Sequence, residues 1–415
     1  MAKKLILAFQ HVLAMFGATV LVPLLTGLDT SIALFAAGTG TLIFHLVSKR
    51  VVPVFLGSSF AFIPGIIAVG ESEGLGYATG AMVAVGLVYV VMAGIVYFVG
   101  ADRVRAFFPA IVTGPVIIVI GLILAPIAVR MAAANWTLAF ITMLTVVAVG
   151  AYARGFFQFI PIVTGIIVGY VVALATGAVD LSAVQQAGFF GLPDFRNPEW
   201  SPKFSITAMQ IIVPIAIVSM IEHIGDITTN GAVVGKNFFK EPGLHRTLLG
   251  DGLATSFAGF VGGPANTTYG ENTGVLAVTK NYDPAILRMA AVFAIILSLS
   301  PKFGALVSTI PVAVLGGVSF ILFGMIASIG VRTLVDSKPD LSDFRNSIVV
   351  FVILILGMVS LTAGTKDGNP AVITLTEYAS LSGLSLAAVA GVTLNFVFNI
   401  LLKKSTDQKP EISTQ

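Results

Sequence analysis

The chain has no cysteine and little charge: Asp, Glu, Lys and Arg make up 10% of its 415 residues, where a soluble domain carries about 25%. Without a thiol there is neither a disulfide framework nor a cysteine nucleophile. The four histidines show no metal-ligand spacing, so neither a metal nor another cofactor is expected. A soluble fold is excluded by the scarcity of charge, and no polar stretch is long enough to form a separate soluble domain. A net charge of +3 could signal nucleic acid. The basic residues, however, sit in short loops between apolar runs, which is how a membrane protein sets its topology. Membrane lipid is the expected surroundings, and nucleic acid is not an expected partner.

What the chain has in abundance is apolar sequence, with 56% hydrophobic residues and a mean hydropathy of +0.98. Runs long enough to cross about 30 Å of hydrocarbon recur from end to end. The expected fold is an all-α polytopic membrane protein of fourteen segments, near 5–25, 31–47, 51–69, 75–99, 107–128, 135–152, 157–177, 206–226, 244–262, 266–279, 284–300, 309–330, 346–363 and 382–402. The first of these resembles a signal peptide, but its length and its Gln10 and His11 mark a retained span. With fourteen spans both termini share a side. All Lys and Arg except Arg130, Arg196, Lys203, Lys302 and Lys366 then fall on it, which makes it cytoplasmic.

Two segments, 51–69 and 266–279, are poor continuous helices, broken by Gly, Pro and paired hydroxyl residues. Irregular backbone at membrane depth survives only where protein or a wet cavity receives its N–H and C=O groups. The Gly262 to Gly274 stretch, which carries Glu271, is therefore the expected binding site. The polar connection from Asp180 to Ser205 reads as an external loop, with a small hairpin as one form it could take, and it divides the chain into halves of seven spans. Three collinear matches link the halves. Gln10-His11-Val12 pairs with Glu222-His223-Ile224, and Ser58-Ser59-Phe60-Ala61 with Thr267-Thr268-Tyr269-Gly270. Pro109, Gly114, Val116 and Ala125 pair with Pro311, Gly316, Val318 and Ala327. An odd number of spans per repeat forces opposite orientations. Inverted repeats with interruptions at matching positions point to a secondary transporter and to a site near the midplane.

Glu271 opens a half-helix, where free N–H groups face a ligand. Glu222 and Asp226, four residues apart, share a helical face in the eighth span. Asp226, with Thr228, Thr229 and Asn230, also fits the simpler role of marking that helix's inner end. Glu222, Asp226 and Glu271 are the candidates for carrying a proton, because intramembrane carboxylates are expensive and functional by default. Phe60 and Tyr269 occupy matched positions in the interruptions and could grip a flat ring by stacking and edge contacts. Ser59, Asn272 and His223 are read as supporting residues, and Asp251 as a weaker cavity candidate. Carboxylate acceptors, backbone donors and aromatic faces without a nearby cation suit a planar neutral heterocycle bearing N–H and C=O groups, and repel an anion. A membrane enzyme built on Glu222, His223 and Asp226 lacks a second cluster to complete it.

Glu271-Asn272-Thr273-Gly274 running to Thr279-Lys280 resembles the signature of the nucleobase/ascorbate transporter family. Gly57 to Phe62, Asn266 to Asn272, Gln10-His11 and Leu244-His245-Arg246 resemble its uracil permease branch. The resemblance implies two inverted seven-span repeats, a core domain from 1–100 and 206–305, and a gate domain from 101–205 and 306–415. It implies uracil import with protons by alternating access in a plasma membrane, by a homodimer. It assigns ring N–H recognition to Glu222 and Glu271, an aromatic contact to Phe60, and carbonyl recognition to the backbone of Phe60, Tyr269 and Gly270. Glu rather than Gln at 271 favours uracil over xanthine or urate, the alternative substrates; an anion exchanger of the same fold is the remoter alternative. Some uracil permeases have His where this chain has Asp226, so a proton role carried over from that His does not transfer directly.

Overall fold

The computed structural model describes residues 2–362, 372–376 and 379–401, and it is mostly helical. The Lys366 segment and the tail after 401 lie outside the described residues. In chain order come α1 (Ala2–Thr26), α2 (Thr30–Val47), β1 (Leu56–Ser58), a 3-10 turn at Phe60–Phe62, α3 (Ile63–Ser72), α4 (Leu75–Val99), α5 (Ala101–Arg105), α6 (Ala110–Ala132), α7 (Trp136–Tyr152) and α8 (Pro161–Ala175). After α9 (Ser182–Gln186), α10 (Ile206–Ile212) and α11 (Ile215–Val234) come α12 (Leu244–Phe260), β2 (Asn266–Thr268), α13 (Gly270–Thr279), α14 (Pro284–Ser298) and α15 (Pro301–Ser308). The chain closes with α16 (Val312–Ser337), α17 (Phe344–Thr362), β3 (Val372–Thr376), β4 (Ala379–Ser382) and α18 (Gly383–Asn395). Among the described residues six helices are long and apolar enough to cross a membrane, or seven if α14 and α15 form one bent span.

Several expected boundaries move for identifiable reasons. The segment expected near 284–300 is α14, and beyond it the chain bends by 84° into an additional short helix, α15. Pro301 cannot continue α14, and Ser300 caps the new helix by accepting from the Phe303 amide. The eighth segment does not end near 226. Pro214 separates α10 from α11, and α11 then runs on to a left-handed Gly235. The polar residues past Asp226 stay helical because Thr228, Thr229 and Asn230 each have a partner. Thr228 bonds its own helix at Ile224 O, while the Asn230 amide reaches Pro53 O at 3.0 Å. The Asp180 to Ser205 connection forms no hairpin. It contains α9 and turns, and is pinned by Lys203 N to Gly76 O at 2.7 Å and Thr79 Oγ1 to Trp200 O at 2.9 Å. The β3–β4 pair was not legible in the sequence.

Packing follows small residues. α12 lies against α4 and α2, and α14 against α2 and α1; separately, α6 lies against α16 and α17, and α7 against α8 and α16. Gly114 and Gly330 let α6 and α16 touch backbone to backbone. A Cβ on Gly114 would stand 3.0 Å from Gly330 O, and one on Gly330 would stand 2.5 Å from Gly114 O. Such small-residue seams are how membrane helices gain van der Waals contact without a hydrophobic driving force.

Candidate functional site

β1 and β2, more than two hundred residues apart, pair antiparallel with Leu56 opposite Thr268, Gly57 opposite Thr267 and Ser58 opposite Asn266. Further backbone bonds extend the ladder, from Ser59 N to Ala265 O at 2.9 Å and from Tyr269 N to Phe55 O at 3.0 Å. Every residue of both strands is buried. Each strand can bond only one neighbour, so its outer edge needs side-chain partners, and surrounding helices supply them. From α2, Thr41 Oγ1 accepts from Leu56 N at 2.9 Å. From α12, Thr255 Oγ1 donates to Asn266 O at 2.8 Å, and His45 of α2 reaches Val54 O at 2.9 Å. The Ser58 hydroxyl donates to Thr19 O of α1 at 3.1 Å. Asn266 Nδ2 returns the favour to α2, donating to Ala36 O at 3.0 Å.

Each strand runs into a helix start: the Phe60–Phe62 turn leading to α3, and α13 beginning at Gly270. The interruption read from the sequence is thus an extended crossing followed by two helices whose first N–H groups lie beside it. Three carboxylates gather here. Asp226 accepts from Thr268 Oγ1 at 2.8 Å, and its Oδ1 would lie 3.6 Å from a Cβ on Gly270. Glu222, one turn earlier on α11, is within electrostatic reach of Asp226, Glu271 and Asp251, and its Oε2 is buried without a hydrogen-bond partner among the described residues. Glu271 is half-buried and lines a cavity of about 540 Å³ between α1 and α13 on one side and α8 and α16 on the other. Leu13, Val278, Ile162, Met325 and Ile329 are among its walls, and Arg332, ion-paired with Asp336 at 3.3 Å, is its cation.

The aromatic pair is placed differently from a symmetric clamp. Phe60 is 5% exposed and meets Phe323 of α16 edge-on, with centroids 6.1 Å apart. Tyr269 lies across Gly57 of the opposite strand, and its hydroxyl donates to Ser58 O at 2.8 Å. Its backbone N–H is taken by Phe55 O, so Tyr269 has no amide to offer a ligand and only Phe60 and Gly270 stand at helix starts. That corrects one of the three expected backbone donors. Ser59 is buried, its amide is taken by Ala265 O, and its hydroxyl has no partner among the described residues. Asn272 ties α13 to α1, donating to His11 O at 3.0 Å and meeting His11 Nδ1 at 3.1 Å.

His223 is not part of the crossing. Its Nδ1 faces Asp251 Oδ2 at 2.9 Å, with both side chains fully buried. Asp251 therefore carries more than the weak cavity role its sequence context suggests. The available signal was a carboxylate set between two glycines, Gly250 and Gly252, in an apolar helix. Thr268, which holds Asp226, could have been noticed as the hydroxyl three residues before Glu271.

Solved structures of membrane transporters share the overall fold of this helical bundle. The transmembrane domain of a cyanobacterium bicarbonate transporter BicA matches with a TM-score of 0.63 at 13% identity, covering 86% of this chain and 94% of that one. The murine Slc26a9 anion transporter in its inward-facing state matches with a TM-score of 0.66 at 10% identity, covering 97% and 69%. At such identities the likeness establishes the fold of an integral membrane protein. Sequence goes further. The model of the family described as "Permease family" matches residues 2–365. The uracil permease of Bacillus caldolyticus is 44% identical over 402 residues, 94% of this chain and 91% of that protein. The Escherichia coli (strain K12) uracil permease is 37% identical over 408 residues, covering 95% and 91%. The chain belongs to the nucleobase/ascorbate transporter family, a family of permeases and not of enzymes.

Proposed function

We propose that this permease imports uracil together with protons, by alternating access, across a bacterial-type plasma membrane with both termini in the cytoplasm. The observation that carries the reading is the convergence of Glu222, Asp226 and Glu271 on the strand crossing, with Glu271 opening into the cavity. Relatives named as uracil permeases, similar over nearly their whole length, supply the substrate class. Uracil offers two ring N–H donors and two carbonyl acceptors. Glu222 and Glu271 accept from the former, the helix starts at Phe60 and Gly270 donate to the latter, and the Phe60 ring covers a face. The hydroxyl-anchored Tyr269 shapes the floor beside it. A carboxylate that takes a proton with the base lowers the cost of moving the loaded site through a low-dielectric interior, which couples uptake to the proton gradient.

Fourteen spans in two inverted repeats fit this reading, and two features support them. Pro109 and Pro311, matched in sequence, both cap helix starts, those of α6 and α16. A Cβ on Gly114 would meet Leu334, and one on Gly316 would meet Ala132. Those two contacts exchange under the same sequence offset that relates Gly114 to Gly316, as a two-fold axis between α6 and α16 demands. In the proposed arrangement 1–100 and 206–305 form the core domain, 101–205 and 306–415 form the gate, and two copies pair as a homodimer. The cavity lies between core elements α1 and α13 and gate elements α8 and α16. Replacing Glu271 by Ala in purified protein should abolish uracil binding while the thermal melt still reports a folded chain. Unchanged affinity in that variant would sink the site assignment. Uptake into proteoliposomes undiminished by a protonophore at high external pH would remove the proton as coupling ion.

A further inference from the structure

Behind the proposed site lies a second polar group that none of the roles above uses. It starts from the His223–Asp251 pair, which joins α11 to α12 at 2.9 Å. Tyr89 reaches the same place from α4. It is fully buried, adjoins Ser219, and is within electrostatic reach of both Asp251 and Glu222. The approach depends on Gly252, next to Asp251, where a Cβ would meet Tyr89 Cβ at 2.5 Å. Ser219 precedes Glu222 and His223 by three and four residues and so shares their face of α11.

Seven atoms here, Tyr89 Oη, Ser219 Oγ, Glu222 Oε2, His223 Nδ1 and Nε2, and Asp251 Oδ1 and Oδ2, are buried without a well-directed hydrogen-bond partner among the described residues, although His223 Nδ1 and Asp251 Oδ2 face each other at 2.9 Å. Isolated orphans of this kind are rare because each forfeits its solvation. Seven together, contributed by three helices, are what a cavity holding internal water requires, since a buried water needs two to four polar partners. Packing alone would have selected apolar side chains at these positions.

We propose that Tyr89, Ser219, His223 and Asp251 enclose internal water and form a relay behind Glu222, in which Tyr89 and Asp251 are positioning residues that orient the Glu222 carboxyl and govern its proton exchange. In the relay Asp251 Oδ2, 2.9 Å from Nδ1, holds the His223 ring from that side and leaves Nε2 to face water. Water and the Tyr89 hydroxyl then complete the hydrogen bonds of Glu222 on the side away from the strand crossing. The titratable groups facing Glu222 are Asp226 and His223 on its own helix, Asp251 on α12, Tyr89 on α4, Glu271 on α13 and Tyr269 beside β2. The neighbouring α18 has no titratable residue, and α6 has only Arg130, which is exposed near its C-terminal end.

The inference rests on Glu222 being a proton-exchanging residue of the transporter, and its test is read without substrate. Infrared difference spectra of the full-length protein, titrated in pH, contain a Glu222 carboxyl band identified by its loss in Glu222→Gln. Tyr89→Phe and Asp251→Asn should each displace that band and move its half-titration by about one pH unit, the size of one hydrogen bond to a charged group. Thr142→Val removes a buried hydroxyl bonded within α7 and should leave the band in place. A folded Tyr89→Phe variant whose band and titration superimpose on the wild type overturns the relay. If Tyr89→Phe does not fold, Ser219→Ala carries the same expectation and the same refutation. Uracil binding measured on the same samples separates the two readings. A displaced band in a protein that binds no uracil supports the relay and defeats the proposed substrate, whereas uracil binding with an undisplaced band defeats the relay alone.

Discussion

The strand crossing depends on one residue having no side chain. A Cβ on Gly57 would overlap the Tyr269 ring at Cε2 and Cζ and stand 2.7 Å from Thr19 Oγ1. Carbon atoms in ordinary contact are about 3.5–4.0 Å apart, so the ring must retreat by roughly 1 Å. The Tyr269 hydroxyl bond to Ser58 O, 2.8 Å long, does not survive that displacement. Two costs follow: overpacking of about 1–3 kcal/mol, and a buried carbonyl stripped of its donor at about 1–3 kcal/mol. Gly57→Ala should therefore lose about 2–6 kcal/mol, divided between folding and the closed geometry of the site. The measurement is the thermal melt and uracil affinity of purified protein beside Gly94→Ala, where a Cβ meets nothing within 4 Å and the melt should hold or rise. Because both lesions act through one ring, Tyr269→Phe combined with Gly57→Ala should cost less than the sum of the two. A Gly57→Ala protein with wild-type melt and affinity, or strict additivity in the double variant, would refute the reasoning.

Thr268→Val removes the hydroxyl that donates to Asp226 at 2.8 Å. Leaving a buried acceptor without its donor costs about 1–3 kcal/mol, so affinity or stability should fall by about tenfold, and a change under twofold in both would show that this bond is dispensable. In a chain without cysteine, Val278→Cys or Met325→Cys places one thiol on the cavity. A membrane-impermeant thiol reagent should modify it from the cytoplasmic side, and uracil should slow the reaction; labelling only from outside would reverse the assigned orientation. Lys4 donates to Asp283 at 2.6 Å and, with the Ala285 amide, holds the Asp283 carboxyl below its ordinary 3.8. A depressed carboxyl stabilises the fold above its unfolded value and loses that contribution as pH falls through the lower folded one. Protection of the N-terminal helix from protease should thus be flat between pH 8 and 5, drop below about pH 4, and be absent throughout in Asp283→Asn. A gradual loss beginning near neutrality would contradict the assignment.

The two interruptions were legible because Gly, Pro and paired hydroxyls cannot be reconciled with a continuous apolar helix, and Glu271 because a carboxylate at a helix start in the membrane has few other reasons to be there. Register was not legible. Nothing local says that Leu56 faces Thr268, since the pairing joins segments more than two hundred residues apart. The same blindness explains Tyr269, which sequence symmetry equates with Phe60 although its hydroxyl binds it to the opposite strand. It also explains α11, whose run past Asp226 depends on partners in β2 and at Pro53. Asp251 stands 28 residues from His223 on another helix, a distance across which a single chain offers no pattern.

Where the strands find their hydrogen bonds also decides what can move. Their outer backbone and side-chain groups are bonded by Thr19 of α1, Thr41 and His45 of α2, Asn230 of α11 and Thr255 of α12, and Asn272 ties α13 to α1. Sliding any of these helices against the crossing would strand several buried polar groups at about 1–3 kcal/mol each, more than a proton or a small base could offset. The face toward α8 and α16 is different. Apart from Glu271, Gln158 and Arg332, apolar residues and glycine line the cavity there, and apolar surfaces can exchange neighbours without losing hydrogen bonds. In the proposed alternating-access cycle the crossing would therefore travel with α1, α2, α11, α12 and α13 as one body, and the cavity would be the seam along which that body shifts. The polar interior around the proposed site also makes it rigid, and in the proposed cycle the motion that exposes it to each side would come from the apolar seam in front of Glu271.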